Sequence, residues 1–369
     1  MGVKATSLSK IALQKFKKNF WGVFSFCFLV CCALVAIFCY VIVPDNSANA
    51  NQMHLSIHSQ KPGFEVQILT IPSGVNSNQS VLKNLFFGKQ NTDAAIPISN
   101  YTLTEQGISI EEYVDGASTG LIKEFPLDQF PKAKTTAEIA QKYIKTQKFL
   151  LGTDKYGRDL LSRLLVGMRI SLSIGFVAVF ISLIIGITLG AIAGYYGGKI
   201  DALIMWLINV TWSIPTLLLV IAITLTLGKG FWQVFIAVGL TMWVEVARVV
   251  RGQVMGVKQM QFVTAARALG FHDSRIIVKH IIPNVLAPVI VISAANFAGA
   301  ILIESGLSFL GIGAQPPMPS WGAMIKDHYS YIILGKAYLA VIPGIAIMSL
   351  VMAFMLIGNA LRDALDVKN

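Results

Sequence analysis

Six apolar stretches alternate with polar ones along the chain, at residues 20–43, 170–198, 202–228, 231–250, 284–303 and 338–360. A helix rises 1.5 Å per residue, so about 20 such residues cross a hydrocarbon core of about 30 Å. The pattern predicts an all-α polytopic membrane protein with six transmembrane helices. The first stretch is longer than the hydrophobic region of a secretory signal, about 7–15 residues. It is expected to stay as an anchor, although Ala48-Asn49-Ala50 resembles a cleavage site. The second has no charged side chain, and Gly186, Gly190 and Gly194 give it one bare face for close helix packing. Pro215 is expected to kink the third. The fourth ends in Glu245, Arg248 and Arg251, with Glu245 and Arg248 spaced to pair at i, i+3.

The polar stretches differ from one another. Residues 44–150 contain short alternating runs, FEVQILTIP and GISIEEYV, punctuated by Asn, Ser, Gly and Pro. They predict a small β-rich insertion between the first and second helices, ending in a helix-friendly segment at 135–148. His54 and His58 are four apart without a third ligand, so both are expected at the surface and no metal site is predicted. Residues 151–172, LGTDKYGRDLLSRLLVGMRISL, predict a turn and an amphipathic helix lying along the membrane interface. Leu160, Leu161, Leu164 and Leu165 would form its apolar face, and Arg158, Arg163 and Arg169 would snorkel.

Two further segments carry candidate sites. Lys258 to Pro283 reads as helix, turn, helix: Phe262, Ala265, Ala266 and Leu269 recur at helical spacing, and Gly270 suits a left-handed helix end. Asp273 is placed to cap a second helix that runs to Pro283. Beyond the fifth stretch lies ESGLSFLGIGAQPPMPSWG. Glu304, an ionisable residue near membrane depth, is a translocation-path candidate; the alternative is a structural carboxylate satisfied around Ser305 or Ser308. The 316–319 loop and Trp321 are expected to form a lid with an interfacial aromatic anchor.

Composition narrows the class. The chain is 54% hydrophobic and 13% charged, against about 25% charged in soluble domains. Its net charge of +11 accompanies no nucleic-acid-binding motif and bears on orientation and anionic lipid. Lys4, Lys10, Lys15, Lys17 and Lys18 precede the first helix without an acid, Lys258, Arg267, Arg275 and Lys279 face Asp273 alone in the hairpin, and Arg362 and Lys368 close the chain. The positive-inside rule therefore places both termini and the hairpin in the cytoplasm, with 44–150 outside. Cys27, Cys31, Cys32 and Cys39 all fall in the first apolar stretch and act as small hydrophobes.

Ala265-Ala266, Gly270 and the closing Ile282-Pro283 resemble the coupling loop of ABC importer membrane subunits. ARALGFHDSRIIVKHIIPN is most similar to the C-type permeases of the oligopeptide, dipeptide and nickel branch, which share a His at the place of His280. The GTD-x-x-GRD-x-x-SR segment and E-x-x-L-S-F-L-G-x-G-x-x-P-P-x-P-S-W-G add two further resemblances, so the likeness covers about 151–369. The chain departs from it where Thr264 stands for the family's usual Glu, and where Trp206 and Asn209 stand for an Arg and an Asp.

The resemblance implies a type I ABC importer permease fold in the bacterial inner membrane, working by alternating access. It also implies a paralogous permease as heterodimer partner, two ABC ATPase subunits and an extracytoplasmic solute-binding protein. ATP would be bound by the partner, since this chain has no Walker loop and no implied cofactor of its own. Phe262, Val263, Thr264, Ala265, Ala266, Arg267, Leu269, Gly270 and Asp273 would form the ATPase-docking segment, and a charged substitution at Ala266 is expected to uncouple transport. The competing classes are an ion-driven transporter and a membrane-anchored ligand sensor.

Overall fold

The computed structural model describes residues 8–73, 80–90, 93–116, 119–228 and 230–365; Lys4, Lys229 and Lys368 lie outside the described residues. In chain order, α1 (Leu8–Lys18), α2 (Phe20–Ile37) and the short α3 (Cys39–Ile42) come first. A mixed region follows with β1 (Phe64–Ile71), α4 (Val81–Phe87), β2 (Ala94–Leu103), β3 (Gly107–Glu112), β4 (Ile122–Pro126), α5 (Thr136–Tyr143) and β5 (Ile144–Phe149). The remainder is helical: α6 (Leu160–Tyr196), α7 (Gly198–Trp212), α8 (Thr216–Leu227), α9 (Phe231–Val257), α10 (Gln261–Ala268), α11 (Asp273–Arg275), α12 (Ile282–Phe309), α13 (Trp321–His328) and α14 (Tyr338–Leu365). Among the described residues, five helical runs are long and apolar enough to cross a membrane; α7 and α8 supply a sixth if that pair counts as one span.

Several expectations need correction. The 20–43 stretch is not one helix, because it breaks at Phe38 between α2 and α3. At Pro215 the chain does more than kink: α7 and α8 meet at 90°. Residues 144–148 are strand, since β5 pairs with β1 along Phe64↔Phe149 to Leu69↔Ile144, and this tertiary pairing overrides local helix preference. No separate interfacial helix precedes the second span, because α6 runs unbroken from Leu160.

The chain divides into two compact units. The first comprises Leu34–Arg169 and Pro316–Pro343. Its sheet has the order β4-β3-β2-β1-β5, with every pairing antiparallel. Along β1 the side chains alternate between two buried clusters. Leu69 joins Ile98, Ile110, Phe130 and Ile139 on one face, and Val66 and Ile68 join Ile57 and Phe149 on the other. Burial on both faces fixes the register, because a one-residue slip would exchange the two sets.

The GTD-x-x-GRD-x-x-SR segment is a buried polar knot in this unit. Asp154 Oδ1 accepts from the Tyr156 and Arg158 amides at 2.8 and 3.0 Å, and its Oδ2 accepts from Arg158 Nε at 2.6 Å. Asp159 caps α6 by accepting from the Ser162 amide at 2.8 Å. Ser162 Oγ in turn accepts from the Asp45 amide at 3.0 Å, and Arg158 Nη1 donates to Asn51 Oδ1 at 2.9 Å. Arg158 and Arg163 are therefore buried ion-pair partners of Asp154 and do not snorkel. Trp321 is also buried, donating from Nε1 to the Leu164 carbonyl at 2.9 Å, so it is no interfacial anchor.

His54, expected at the surface, is buried, as is His328. His328 Nε2 accepts from the Lys155 amide at 3.2 Å, which leaves Nδ1 to donate to the Met324 carbonyl at 2.7 Å. Burial pushes both imidazoles below the ordinary 6.5; for His328 the Asp154 and Asp327 carboxylates oppose that shift and the Lys155 ammonium adds to it.

The second unit holds the described residues up to Ala33, Ile170–Gln315 and the chain from Gly344. Its packing centres on α6 against α9. A Cβ built on Gly186 would sit 2.5 Å from Val246 Cβ, on Gly190 2.5 Å from the Ala247 carbonyl oxygen, and on Gly194 2.7 Å from that of Arg251. Glycine at each place lets the two backbones approach. Below this groove, Ala191, Val250, Val254, Val263, Ile276 and Val285 share one buried cluster that joins α6, α9, α12 and the hairpin.

Two outcomes are expected. Below pH about 6.5 the unfolded histidines take protons that the folded ones resist, so the stability of the sheet-bearing unit should fall as pH drops from 7.5 to 5. Thermal unfolding at the two pH values measures it, and His328→Gln should flatten the dependence. Gly190→Ala should destabilise by about 1–3 kcal/mol, the range for overpacking, read as a lower thermal midpoint in detergent.

Candidate functional site

The hairpin after α9 is built around the end of α6. α10 closes with the Phe271 amide bonded to the Ala266 carbonyl at 3.2 Å and the Gly270 amide to the Arg267 carbonyl at 3.0 Å. That pair of bonds requires a left-handed residue between them, and Gly270 supplies it with φ of +77°. Phe271 is then held from two sides, with the Arg275 guanidinium 4.2 Å from its ring centre and the His280 ring stacked at 5.9 Å. The family-like histidine thus has a packing partner.

The second arm does not stop at Pro283. Helix continues from Asp273 to Phe309 as one run, through a widened π-helical segment at Ile276–Ile281. A proline ring clashes with the carbonyl four residues before it, here that of Lys279, and the wider turn relieves the clash. Asp273 does not cap this arm. Its Oδ1 accepts instead from the Tyr195 hydroxyl at 2.5 Å.

Tyr195 is the residue that sequence reasoning missed. Its hydroxyl also accepts from Arg267 Nη2 at 3.3 Å, its carbonyl accepts from Lys258 Nζ, and its side chain is buried in the cluster below the glycine groove. One residue at the last turn of α6 thus bonds both arms of the hairpin through its hydroxyl and the root through its carbonyl. The Tyr195-Tyr196 doublet at the end of an apolar stretch was the available signal.

The outward face of α10 differs from the expected one. Val263 and Ala266 point inward, 0% and 4% exposed, whereas Phe262, Thr264, Ala265, Arg267 and Leu269 are exposed, Leu269 by 72%. The residues expected to dock together thus divide: Val263 and Ala266 face the core, while Phe262, Ala265 and Leu269 form a solvent-facing apolar patch. Ala266 belongs to the core, so a charged residue there would strike packing first.

Deeper in the same unit, residues of α7, α8, α9 and α12 line a partly open cavity of about 290 Å³ beside the right-angled break. Glu245 lines it. The expected Glu245–Arg248 pair is not formed: the Arg248 guanidinium stacks 3.5 Å from the Trp212 ring centre and Nη2 donates to Asn209 Oδ1 at 3.5 Å. Arg251 turns to Asp201, donating from Nε and Nη2 at 2.5 and 2.6 Å. Glu304 is fully buried near the end of α12, where its Oε1 accepts from Ser308 Oγ at 2.6 Å. Ser308 Oγ also accepts from the Ala314 amide at 3.2 Å, which ties down the following turn.

Residues 186–368 match the family described as the binding-protein-dependent transport system inner membrane component. The dipeptide transport system permease of Alkalihalophilus pseudofirmus is 44% identical over 217 residues, covering 59% of this chain and 71% of that protein. The glutathione transport system permease of Pectobacterium atrosepticum is 41% identical over 218 residues, 59% of this chain and 72% of its own length. The oligopeptide transport system permease of Haemophilus influenzae is 44% identical over 218 residues, with 59% and 70% covered. A chain of the inward-facing MetNI methionine ABC transporter aligns with 56% of this chain and 97% of its own at 18% identity and a TM-score of 0.47. On the strength of the sequence relatives, this chain belongs to the binding-protein-dependent inner-membrane transport components, among the C-type permeases, and is a membrane permease subunit of an ABC importer.

Proposed function

We propose that this chain forms, with a paralogous permease, the translocation path for peptides or similar small solutes, and that residues 258–283 couple it to a separate ATPase. Three relatives with peptide-type cargo support the solute class. The observation that carries the coupling role is the outward face of α10, where Phe262, Ala265 and Leu269 are exposed while Val263 and Ala266 fasten the helix from behind. An exposed apolar patch with Arg267 on the same helix suits docking into a groove on another protein.

In this reading α7 and α8 count as one span, giving six, with both termini and the hairpin in the cytoplasm of a bacterium. The basic residues of α1 and the hairpin favour that orientation. The sheet-bearing insertion then lies outside, where it would meet an extracytoplasmic solute-binding protein, and ATP is hydrolysed by the partner alone. Glu304, whose carboxylate serves the turn through Ser308, is read as structural. An ion-driven transporter or a ligand sensor has no use for the hairpin and is not favoured.

Two substitutions test the coupling surface. Leu269→Glu should abolish co-purification of the ATPase from detergent-solubilised membranes while leaving the thermal midpoint of the chain unchanged; undiminished ATPase recovery would sink the docking claim. Ala266→Glu, by contrast, should lower the midpoint. Tyr195→Phe removes both hydroxyl bonds, each worth about 1.5–3 kcal/mol when a charged group is involved. Faster amide exchange across 261–275 is the expected readout, with the transmembrane helices unaffected.

A further inference from the structure

We infer that the cavity at the α7–α8 break is a subsite for the amino-terminal end of the transported solute, with Glu245 as counter-ion to a primary ammonium group and Asn296 as donor to the carbonyl beside it. The inference rests on the reading that this chain lines a path for peptide-like solutes.

The geometry has three parts. The first is the break itself. Irregular backbone at membrane depth is tolerated where it lines a cavity, and discontinuous helices are where membrane transporters place polar ligand sites. Here α7 ends at Trp212, α8 begins at Thr216, and Thr211, Trp212 and Thr216 all face the cavity.

The second is an uncompensated carboxylate. Glu245 is exposed into the space, and among the described residues it forms no ion pair. Its two arginine neighbours along α9 are engaged elsewhere, Arg248 on Trp212 and Asn209 and Arg251 on Asp201. An anion beside apolar walls holds a preference for cations that none of the described cations of this chain satisfies.

The third is a buried donor without a partner. Asn296 is 2% exposed and lines the same cavity, and its Nδ2 has no hydrogen-bond partner. Leaving such a group unsatisfied costs free energy that a ligand acceptor would return. The threonines complete the complementarity. Thr211 and Thr241 donate their hydroxyl hydrogens to the Leu207 and Val238 carbonyls, at 2.9 and 2.8 Å, so their oxygens remain as acceptors.

One carboxylate, one amide donor and hydroxyl acceptors match an α-ammonium group followed by a carbonyl. They do not match a carboxylate terminus, which Glu245 would repel. The volume of about 290 Å³ is at the small end of ligand sites, which run from about 300 to 1,000 Å³. It therefore suits one residue of a solute and leaves the remainder to other surfaces.

The test uses the complete importer, with its partner subunits and binding protein, in proteoliposomes. The probe is a dipeptide bearing a small photoreactive diazirine on its first side chain. In the unsubstituted importer the label should fall on the α9 and α12 segments around Thr241 and Asn296, and free dipeptide should displace it while the N-acetyl form does not. Glu245→Gln should cut labelling and raise KM for uptake about tenfold, the loss of one charged hydrogen bond, with ATPase stimulation by the binding protein retained. Glu245→Asp should keep most of the labelling, and Asn296→Ala should lower it without altering the preference for a free amine. Equal labelling in Glu245→Gln, or label confined to other segments, with normal dipeptide uptake overturns the subsite and leaves the transport reading intact. An unsubstituted importer that takes up no dipeptide overturns both.

Discussion

Inside lipid, hydrocarbon tails are as apolar as any leucine, so helices gain little by hiding apolar side chains from them. What remains is contact, and the unit built from the later helices depends on one contact above all. Gly186, Gly190 and Gly194 bring α6 onto α9 with carbonyl oxygens where side-chain carbons would otherwise sit. α9 bears Glu245 on the cavity and its last turns lead into the hairpin. The positions of both therefore follow from how closely α6 is approached. Two charged tethers then hold α9 on the α7 side, the Arg251–Asp201 pair and the Arg248 stack on Trp212.

Much of this was legible in the sequence, and the parts that were not share a cause. Glycines four apart, the left-handed Gly270 and the strands FEVQILTIP and GISIEEYV are local signals with local consequences, and each element lies where its pattern put it. The errors arose where a distant partner decides. Arg158 and Arg163 look like snorkelling residues until Asp154 is brought beside them. Arg248 looks like a mate for Glu245 until the broken helix offers Trp212. Periodicity reported that α10 has an apolar face without saying that the face could be left outside, and Tyr195 carries no motif at all.

The sheet-bearing unit shows the same division. Alternation in β1 is readable, yet the six residues of β5, IKTQKF, carry no strand pattern of their own and become strand only against β1. The polar knot of Asp154, Arg158 and Asp159 gives the motif there a physical meaning. It folds the approach to α6 around buried charges, and removing one partner of such a pair costs about 3–5 kcal/mol. That is a large share of the stability of any domain.

The clasp at Tyr195 is of another kind. It consists of a single hydroxyl hydrogen shared toward Asp273, a longer contact from Arg267 and a lysine on a main-chain oxygen. These three bonds insert no apolar group into the core, whereas Val263, Ala266 and Ile276 of the same hairpin do. Water can take over every bond as it is released. The polar bonds can therefore exchange with water while the apolar seam beneath them keeps the hairpin on the helix end.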